Sequence, residues 1–383
     1  MLLIASDTSK HHRAVKDVVR ELSLTLTVFA SANTLAELMG GSSRRIVLLV
    51  ESDVSEHVVS TLRDAEGNAQ FGVIVAGERH SPRDITKVGP FEQLAKLENL
   101  EWVDPDFDYD ELSTAARACR RRMLRVSRDD LDEALRERQF IVQYQPKVER
   151  GTEWRTREAE ALVRWKHPKH GQVGPLEFLP EIEEFGFMSR LTDFVLHEAA
   201  AQLVRWKNKG LDLSACINLA SSQLTDARLP ARCAELVGKY GLECSKFTFE
   251  VAEQDLSDPD APHLQTLRAM RERGFRLCLD DFRVVAASLG ALDQMPFDEI
   301  KIHASALQRA KEDPIRMKVL AAIIGLAHNL GMTVCAEGIE DTETFEFLKT
   351  INCDKMQGFL ISEAVLPKLL RKVYGKGESD QVA

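Results

Sequence analysis

Residues Phe275 to Phe282 read Phe-Arg-Leu-Cys-Leu-Asp-Asp-Phe, an apolar run that ends in two adjacent aspartates, Asp280 and Asp281. Buried ionised carboxylates are costly unless they are paired or hold a metal. Neighbouring carboxylates also repel, so a cation is their natural partner. A lone Asp-Asp after a strand would read as a helix N-cap or a turn. This pair has company. Gln145, Glu160, Asn218, Glu250, Lys301, Glu337 and Gln357 also lie at or near the ends of otherwise apolar runs. Glu160, Asn218, Glu250 and Asp280 are all oxygen donors, which suit Mg2+ or Mn2+ rather than zinc. Asp281 and Glu337 extend the set towards a second metal. Two metals in one mouth favour phosphodiester hydrolysis, because they stabilise both the attacking and the leaving oxygen. Lys301 adds positive charge for a phosphate or an attacking hydroxide.

Such a set needs strands that end at one place. Eight strand-like runs follow residue 140: Phe140–Tyr144, Glu158–Val163, Ser214–Asn218, Lys246–Val251, Phe275–Asp281, Glu299–Ile302, Thr333–Glu337 and Met356–Ile361. Amphipathic helical stretches separate most of them, for instance Asp193–Lys207 and Ile315–Asn329. Eight strands alternating with helices over roughly 240 residues predict a TIM-like (β/α)8 barrel, whose strand ends converge on one mouth. A single polar residue at a strand end is usually a satisfied buried group. A ring of them is hard to assign to stability.

The chain before the barrel reads differently. Leu2–Ala5, Leu24–Phe29, Ile46–Val50, Gly72–Val75 and Leu100–Val103 are short strand candidates in a βαβ rhythm, which favours a parallel sheet. This part resembles a two-component receiver domain, a doubly wound α/β unit, with degraded chemistry. Ser6-Asp7 supplies one acid after the first strand, Glu51 ends the third, and Asp104-Pro105 stands where a lysine is expected. The resemblance therefore implies a pseudo-receiver that is not phosphorylated and that serves docking or dimerisation. Leu112, Ala116, Cys119, Met123 and Val126 then form a short heptad-like stripe. A helix packed on its own domain explains it better than a signalling helix. Arg120, Arg121 and Arg122 read as a solvated face. Ser127 to Asp130 resembles a capping box that opens a helix through Arg138. The expected layout is a pseudo-receiver at 1–107, a helical connector at 108–127, the barrel at 128–375 and a disordered tail at 376–383.

Bulk properties bound the function. The chain has 383 residues, 44% hydrophobic and 29% charged, as soluble globular proteins do. A net charge of −10 argues against a nucleic-acid polymer as partner, although a small anionic ligand needs only local positive charge. No apolar run approaches a membrane span, and the N-terminus turns polar too early for a signal peptide. Seven scattered cysteines without C-x-x-C spacing indicate neither zinc clusters nor a disulfide framework. A reducing, bacterial-type cytoplasm is the expectation.

Glu160-Ala161-Leu162-Val163-Arg164-Trp165, followed by His167-Pro168, resembles the signature of EAL-domain proteins, which hydrolyse cyclic di-GMP to pGpG. Further segments fall in family order: Gln145-Pro146; Ile217-Asn218-Leu219-Ala220; Glu250 with Glu253; Leu279-Asp280-Asp281-Phe282; Ala336 to Glu340; and Gln357-Gly358. The resemblance covers about residues 129–372. It implies Glu160, Asn218, Glu250 and Asp280 as main ligands of Mg2+ or Mn2+, with Asp281 at a second metal. Lys301 would hold the nucleophilic water or a phosphate, and Glu337 would be a general base or metal-site carboxylate. Gln145, Leu162, Arg164 and Gln357 would contact the ligand, with Glu253 and Glu340 in support. The resemblance also implies an imperfect barrel with an antiparallel first strand, and a homodimer.

Two departures bear on activity. Active members continue D-D-F with G-T-G-Y-S-S, whereas this chain has Arg283-Val284-Val285-Ala286-Ala287-Ser288. Arg283 and Val285 replace glycines, and branched valine resists the backbone conformations that glycine permits. Active members also have K-x-D where this chain has Lys301-Ile302-His303. Imidazole brings nitrogen and no charge when neutral, which shifts preference towards Zn2+ or other transition metals. A histidine bonded only to its neighbours explains the position equally well. Three readings follow: a cyclic di-GMP receptor with impaired hydrolysis, an active phosphodiesterase, and a ligand-independent scaffold. The departures favour the first, and the nearly complete donor set ranks the scaffold last.

Overall fold

The computed structural model describes residues 2–5, 14–16, 18, 25–28, 46–51, 71–76, 99–104, 106–124, 126–152, 155–252, 262–282, 296–304, 306–307 and 314–374. Glu253, Arg283 and Val285, like the rest of the loop after Phe282, lie outside these residues. Internal contacts divide the chain into two units. One comprises Met1–Glu133 with His167–Glu181, the other Ala134–Lys166 with Ile182–Ala383.

The first unit carries β1 (Leu2–Ala5), β2 (Thr25–Val28), β3 (Ile46–Glu51), β4 (Phe71–Ala76) and β5 (Leu100–Val103). All neighbours are parallel, in the order β2-β1-β3-β4-β5. The same strand order occurs in doubly wound sheets. Helix α1 (Tyr109–Leu124) packs on β4 and β5. Its stripe residues Leu112, Ala116 and Cys119 are fully buried. A side chain at Gly72 of β4 would collide with Cys119, so glycine there lets helix and sheet approach closely. These three stripe residues are thus spent within the helix's own unit. Helix α2 (Arg128–Arg136) opens with the predicted box: Asp130 accepts from the Ser127 N–H at 2.9 Å, while its own N–H donates to the Ser127 hydroxyl at 3.2 Å. This helix ends two residues before Arg138, which has φ 53°. A left-handed residue cannot continue a right-handed helix.

The second unit is a closed barrel. Its strands are β6 (Phe140–Glu149), β7 (Arg155–His167), β9 (Ser214–Asn218), β10 (Phe247–Ala252), β11 (Arg276–Phe282), β12 (Glu299–Ile302), β13 (Thr333–Ala336) and β14 (Lys355–Met356). The short strand β8 (Gly171–Val173) and helix α3 (Pro175–Glu184) follow β7 in the chain. Around the barrel the order is β6-β14-β13-β12-β11-β10-β9-β7, closed by β6 against β7. Strand β6 runs antiparallel to both neighbours, and the other neighbouring pairs are parallel. Among the described residues the unit also carries helices α4 (Met188–Lys207), α5 (Leu229–Gly238), α6 (Pro262–Glu272), α7 (Pro314–Asn329), α8 (Thr342–Thr350) and α9 (Pro367–Tyr374). Apolar residues such as Ile217, Phe249, Val251, Leu277, Ile300 and Val334 are buried in one continuous core. Strands covered on both faces read as near-continuous apolar runs, which is why the sequence marks them clearly.

Strand β14 is shorter than the predicted Met356–Ile361. The chain turns at Gly358, where any side chain would collide with the Ile339 backbone. The Ile361 N–H donates to Gly358 O, and Ile339 N–H to Gln357 O. Leu360 and Ile361 therefore pack against the core beyond a turn instead of extending the strand.

Candidate active site

Side chains on a strand alternate in direction, so residues two apart share the barrel interior. Six strands supply one residue to an upper layer at the mouth, and β13 and β14 do so through Glu337 and Gln357 just past their ends; the residue two positions away from each belongs to a layer below. The upper layer holds Gln145, Glu160, Asn218, Glu250, Asp280, Lys301, Glu337 and Gln357. The lower holds Lys147, Glu158, Cys216, Thr248, Cys278, Glu299, Cys335 and Lys355.

The upper layer is one bonded cluster centred on the Lys301 ammonium. Its Nζ lies 3.2 Å from Glu160 Oε2 and 3.3 Å from Glu250 Oε2, Asp280 Oδ1 and Glu337 Oε2. An ammonium has three protons for these four acceptors. Asn218 Nδ2 donates to Glu160 Oε1 at 2.7 Å, and Gln357 Nε2 donates to Glu160 Oε2 at 2.8 Å and Gln145 Oε1 at 2.9 Å. Burial works against the Glu160 charge, but Lys301, Lys147 and these amide donors prevail and hold its pKa at about 2. Glu250 goes the other way: burial and the Glu160 charge push it up to about 7 despite Lys147 and Lys301. Burial also raises Asp280, with Lys301 opposing. One cation facing four carboxylates leaves excess negative charge, and all four donors are hard oxygens. The residues fit a divalent cation of the Mg2+ or Mn2+ kind.

Adjacent strand residues normally face opposite ways, yet Asp280 and Asp281 both reach the mouth. The β11–β12 register shifts between Leu279 and Phe282, and Asp281 has φ 56°. A bulge with one left-handed residue re-aims a side chain, here towards the site. Non-glycine residues in this region carry strain that tends to gather at functional positions. Asp281 Oδ1 lies 3.8 Å from His303 Nε2, and Glu337 Oε1 lies 3.9 Å from it. Together the three could hold a metal, with ligand atoms within 4.8 Å of one another. His303 is thus the third member of this group, beside the upper layer.

The other predicted positions divide. Arg164 is half-buried and donates to Val163 O at 2.9 Å; burial lowers its pKa and Glu160 opposes the shift. Leu162 on β7 is half-buried. Glu340 is exposed, and among the described residues no hydrogen bond or ion pair joins it to the cluster. Gln145 Nε2 also donates to Ser362 O at 3.1 Å, tying the mouth to the segment after β14.

Sequence reasoning missed the lower layer. Lys147 is fully buried, with Nζ 2.6 Å from Glu250 Oε1, 3.3 Å from Glu158 Oε1 and 3.7 Å from Glu299 Oε1. Lys355 Nζ lies 2.9 Å from Glu158 Oε2 and 2.7 Å from Glu299 Oε2. Lys147 and Lys355 therefore balance Glu158 and Glu299 in charge. Removing one member of such a buried set typically costs about 3–5 kcal/mol. The signal was present at Lys147, Glu158, Glu299 and Lys355, four charged residues two positions from the mouth residues of their strands.

A closed barrel with carboxylates, amides and a lysine converging on its mouth defines a protein of the TIM-like barrel class. The chain belongs to the EAL domain family, whose model matches residues 128–364. It is 36% identical over 232 residues to a cyclic di-GMP phosphodiesterase of Pseudomonas aeruginosa, covering 60% of this chain and 39% of that protein. It is 30% identical over 236 residues to the cyclic di-GMP phosphodiesterase PdeR of Escherichia coli, covering 61% of this chain and 35% of that protein. The chain thus spans well under half the length of either curated relative. Among solved structures, it is similar to the PaMucR phosphodiesterase in complex with c-di-GMP, with TM-score 0.59 and 32% identity over 63% of this chain and 98% of that one. Among the described residues, no helix is long and apolar enough to cross a membrane.

Proposed function

We propose that this chain binds cyclic di-GMP at the barrel mouth and that its hydrolysis to pGpG is impaired or absent. The carrying observation is the contrast within one site. Four carboxylates gather intact around Lys301, while the neighbouring position beside Asp281 and Glu337 holds His303. Glu160, Asn218, Glu250 and Asp280 would hold one Mg2+ or Mn2+, and Asp281 would serve a second. Phosphodiesterases of this family generally depend on a divalent metal. Bound there, such ions supply charge stabilisation to a phosphodiester and its attacking water. Lys301, an ammonium, would hold that water or a phosphate, Glu337 would take the proton as general base or serve as a metal-site carboxylate, and Gln145, Leu162, Arg164 and Gln357 would contact the dinucleotide. Glu253 and Glu340 act in support. His303 in place of an aspartate removes one carboxylate from the second position, and Arg283 and Val285 stand where the family has glycines.

The same reading assigns 1–107 to a receiver-like module, 108–127 to a connector, 128–375 to the EAL barrel and 376–383 to a tail. The β2-β1-β3-β4-β5 order supports the receiver-like assignment. Glu51 at the end of β3 argues that the module docks a protein partner or a second copy instead of accepting phosphate. The chain would act as a cytoplasmic homodimer. The complete upper layer favours an active phosphodiesterase as the second reading.

One assay with two readouts separates these. Calorimetry on the full chain should show cyclic di-GMP binding, while chromatography after long incubation with Mg2+ or Mn2+ should show little pGpG. Rapid pGpG release would establish the enzyme instead. Absence of binding with and without metal would leave the scaffold.

A further inference from the structure

Glu250 is held from two sides. Its Oε2 faces the mouth, 3.3 Å from Lys301 Nζ, while its Oε1 accepts from Lys147 Nζ at 2.6 Å. Lys147 has no freedom to leave. It is fully buried and is hemmed in by Glu158 at 3.3 Å, Glu299 at 3.7 Å and the Cys216 sulfur at 3.1 Å. Glu250 is itself 1% exposed. One oxygen of this carboxylate is therefore committed below the mouth, and only the other faces the cluster. The distinction matters for cation choice. Ca2+ takes six to eight oxygens at longer range and readily accepts both oxygens of one carboxylate. Mg2+ demands a compact octahedron, which single-oxygen carboxylates suit.

We propose that Lys147 is a positioning residue that makes Glu250 a one-oxygen ligand, so that this mouth selects a small octahedral divalent cation over Ca2+. The inference rests on the reading that Glu250 is a metal ligand. Lys147 would act on a bound cation only through Glu250. It acts from the lower layer, whose two lysines and two glutamates balance without any ion.

Lys147→Met alone would unbalance that layer. The test variant is Lys147→Met with Glu158→Gln, which removes one charge of each sign. Titrations of the full chain with MgCl2 and CaCl2 give an affinity ratio that general loosening of the fold would not move in one direction. The Ca2+/Mg2+ ratio should rise by about tenfold or more in the double variant, the scale of effects that residues behind metal ligands commonly have. A ratio within about twofold of the unaltered chain, in a variant with an unchanged circular dichroism spectrum, would overturn the proposal. A second measurement needs no variant: crystals of the unaltered chain soaked in MnCl2. Coordination by Glu250 Oε2 alone supports the assignment, and coordination by both oxygens overturns it. If the unaltered chain binds none of the three cations, the metal reading falls and the inference with it.

Discussion

At the scale of single residues, the site turns on how two adjacent aspartates come to face one mouth. Asp280 reaches Lys301 by ordinary strand geometry, and Asp281 reaches the same side because the strand bulges and its φ turns positive. Its neighbour His303 stands where a carboxylate would complete an all-oxygen set. Restoring that carboxylate and the two loop glycines, as His303→Asp with Arg283→Gly and Val285→Gly, should raise pGpG release in Mg2+. An increase of about tenfold or more is expected, as for other changes around a metal. Chromatography of the product reads it directly, and an unchanged rate would clear these three positions of blame. The spacing of the aspartates and the identity of His303 were plain in the sequence. The left-handed turn at Asp281 was not, because aspartate carries no mark of the φ it will adopt.

At the scale of elements, the strands were legible because a barrel buries both of their faces. Ser214–Asn218 and Glu299–Ile302 match their sequence-based bounds. Strand β14 did not, since the close approach of Gly358 to the Ile339 backbone is a tertiary fact. The Ser127 to Asp130 box was legible for a different reason: capping is local chemistry. Ser127→Ala should cost about 1 kcal/mol, measured by urea denaturation of the full chain. The pH dependence has a definite sign. Hydrogen bonds from the Ser127 hydroxyl and backbone hold the Asp130 pKa below its usual 3.8. The cap therefore contributes fully above that value and is lost as pH falls through the lower folded one. An unchanged denaturation midpoint for the variant would show that this end of α2 is held by other contacts.

At the scale of the whole molecule, the barrel is a charged interior within an apolar wall. Its lower layer is balanced, and its upper layer has one lysine for four carboxylates. Binding at such a mouth should stabilise the folded chain. Cyclic di-GMP at one hundred times its dissociation constant is expected to add about 2.7 kcal/mol, read as a higher melting temperature. A melting curve unmoved by the ligand would contradict the binding proposal. The sequence by itself determined which residues end the strands, and so the membership of the mouth, because strand burial and two-residue alternation are written in composition and spacing. Only the tertiary structure decided that Lys147 lies beneath Glu250, 103 residues away in the chain. That contact exists because antiparallel β6 closes the barrel between β7 and β14, a closure no local pattern encodes.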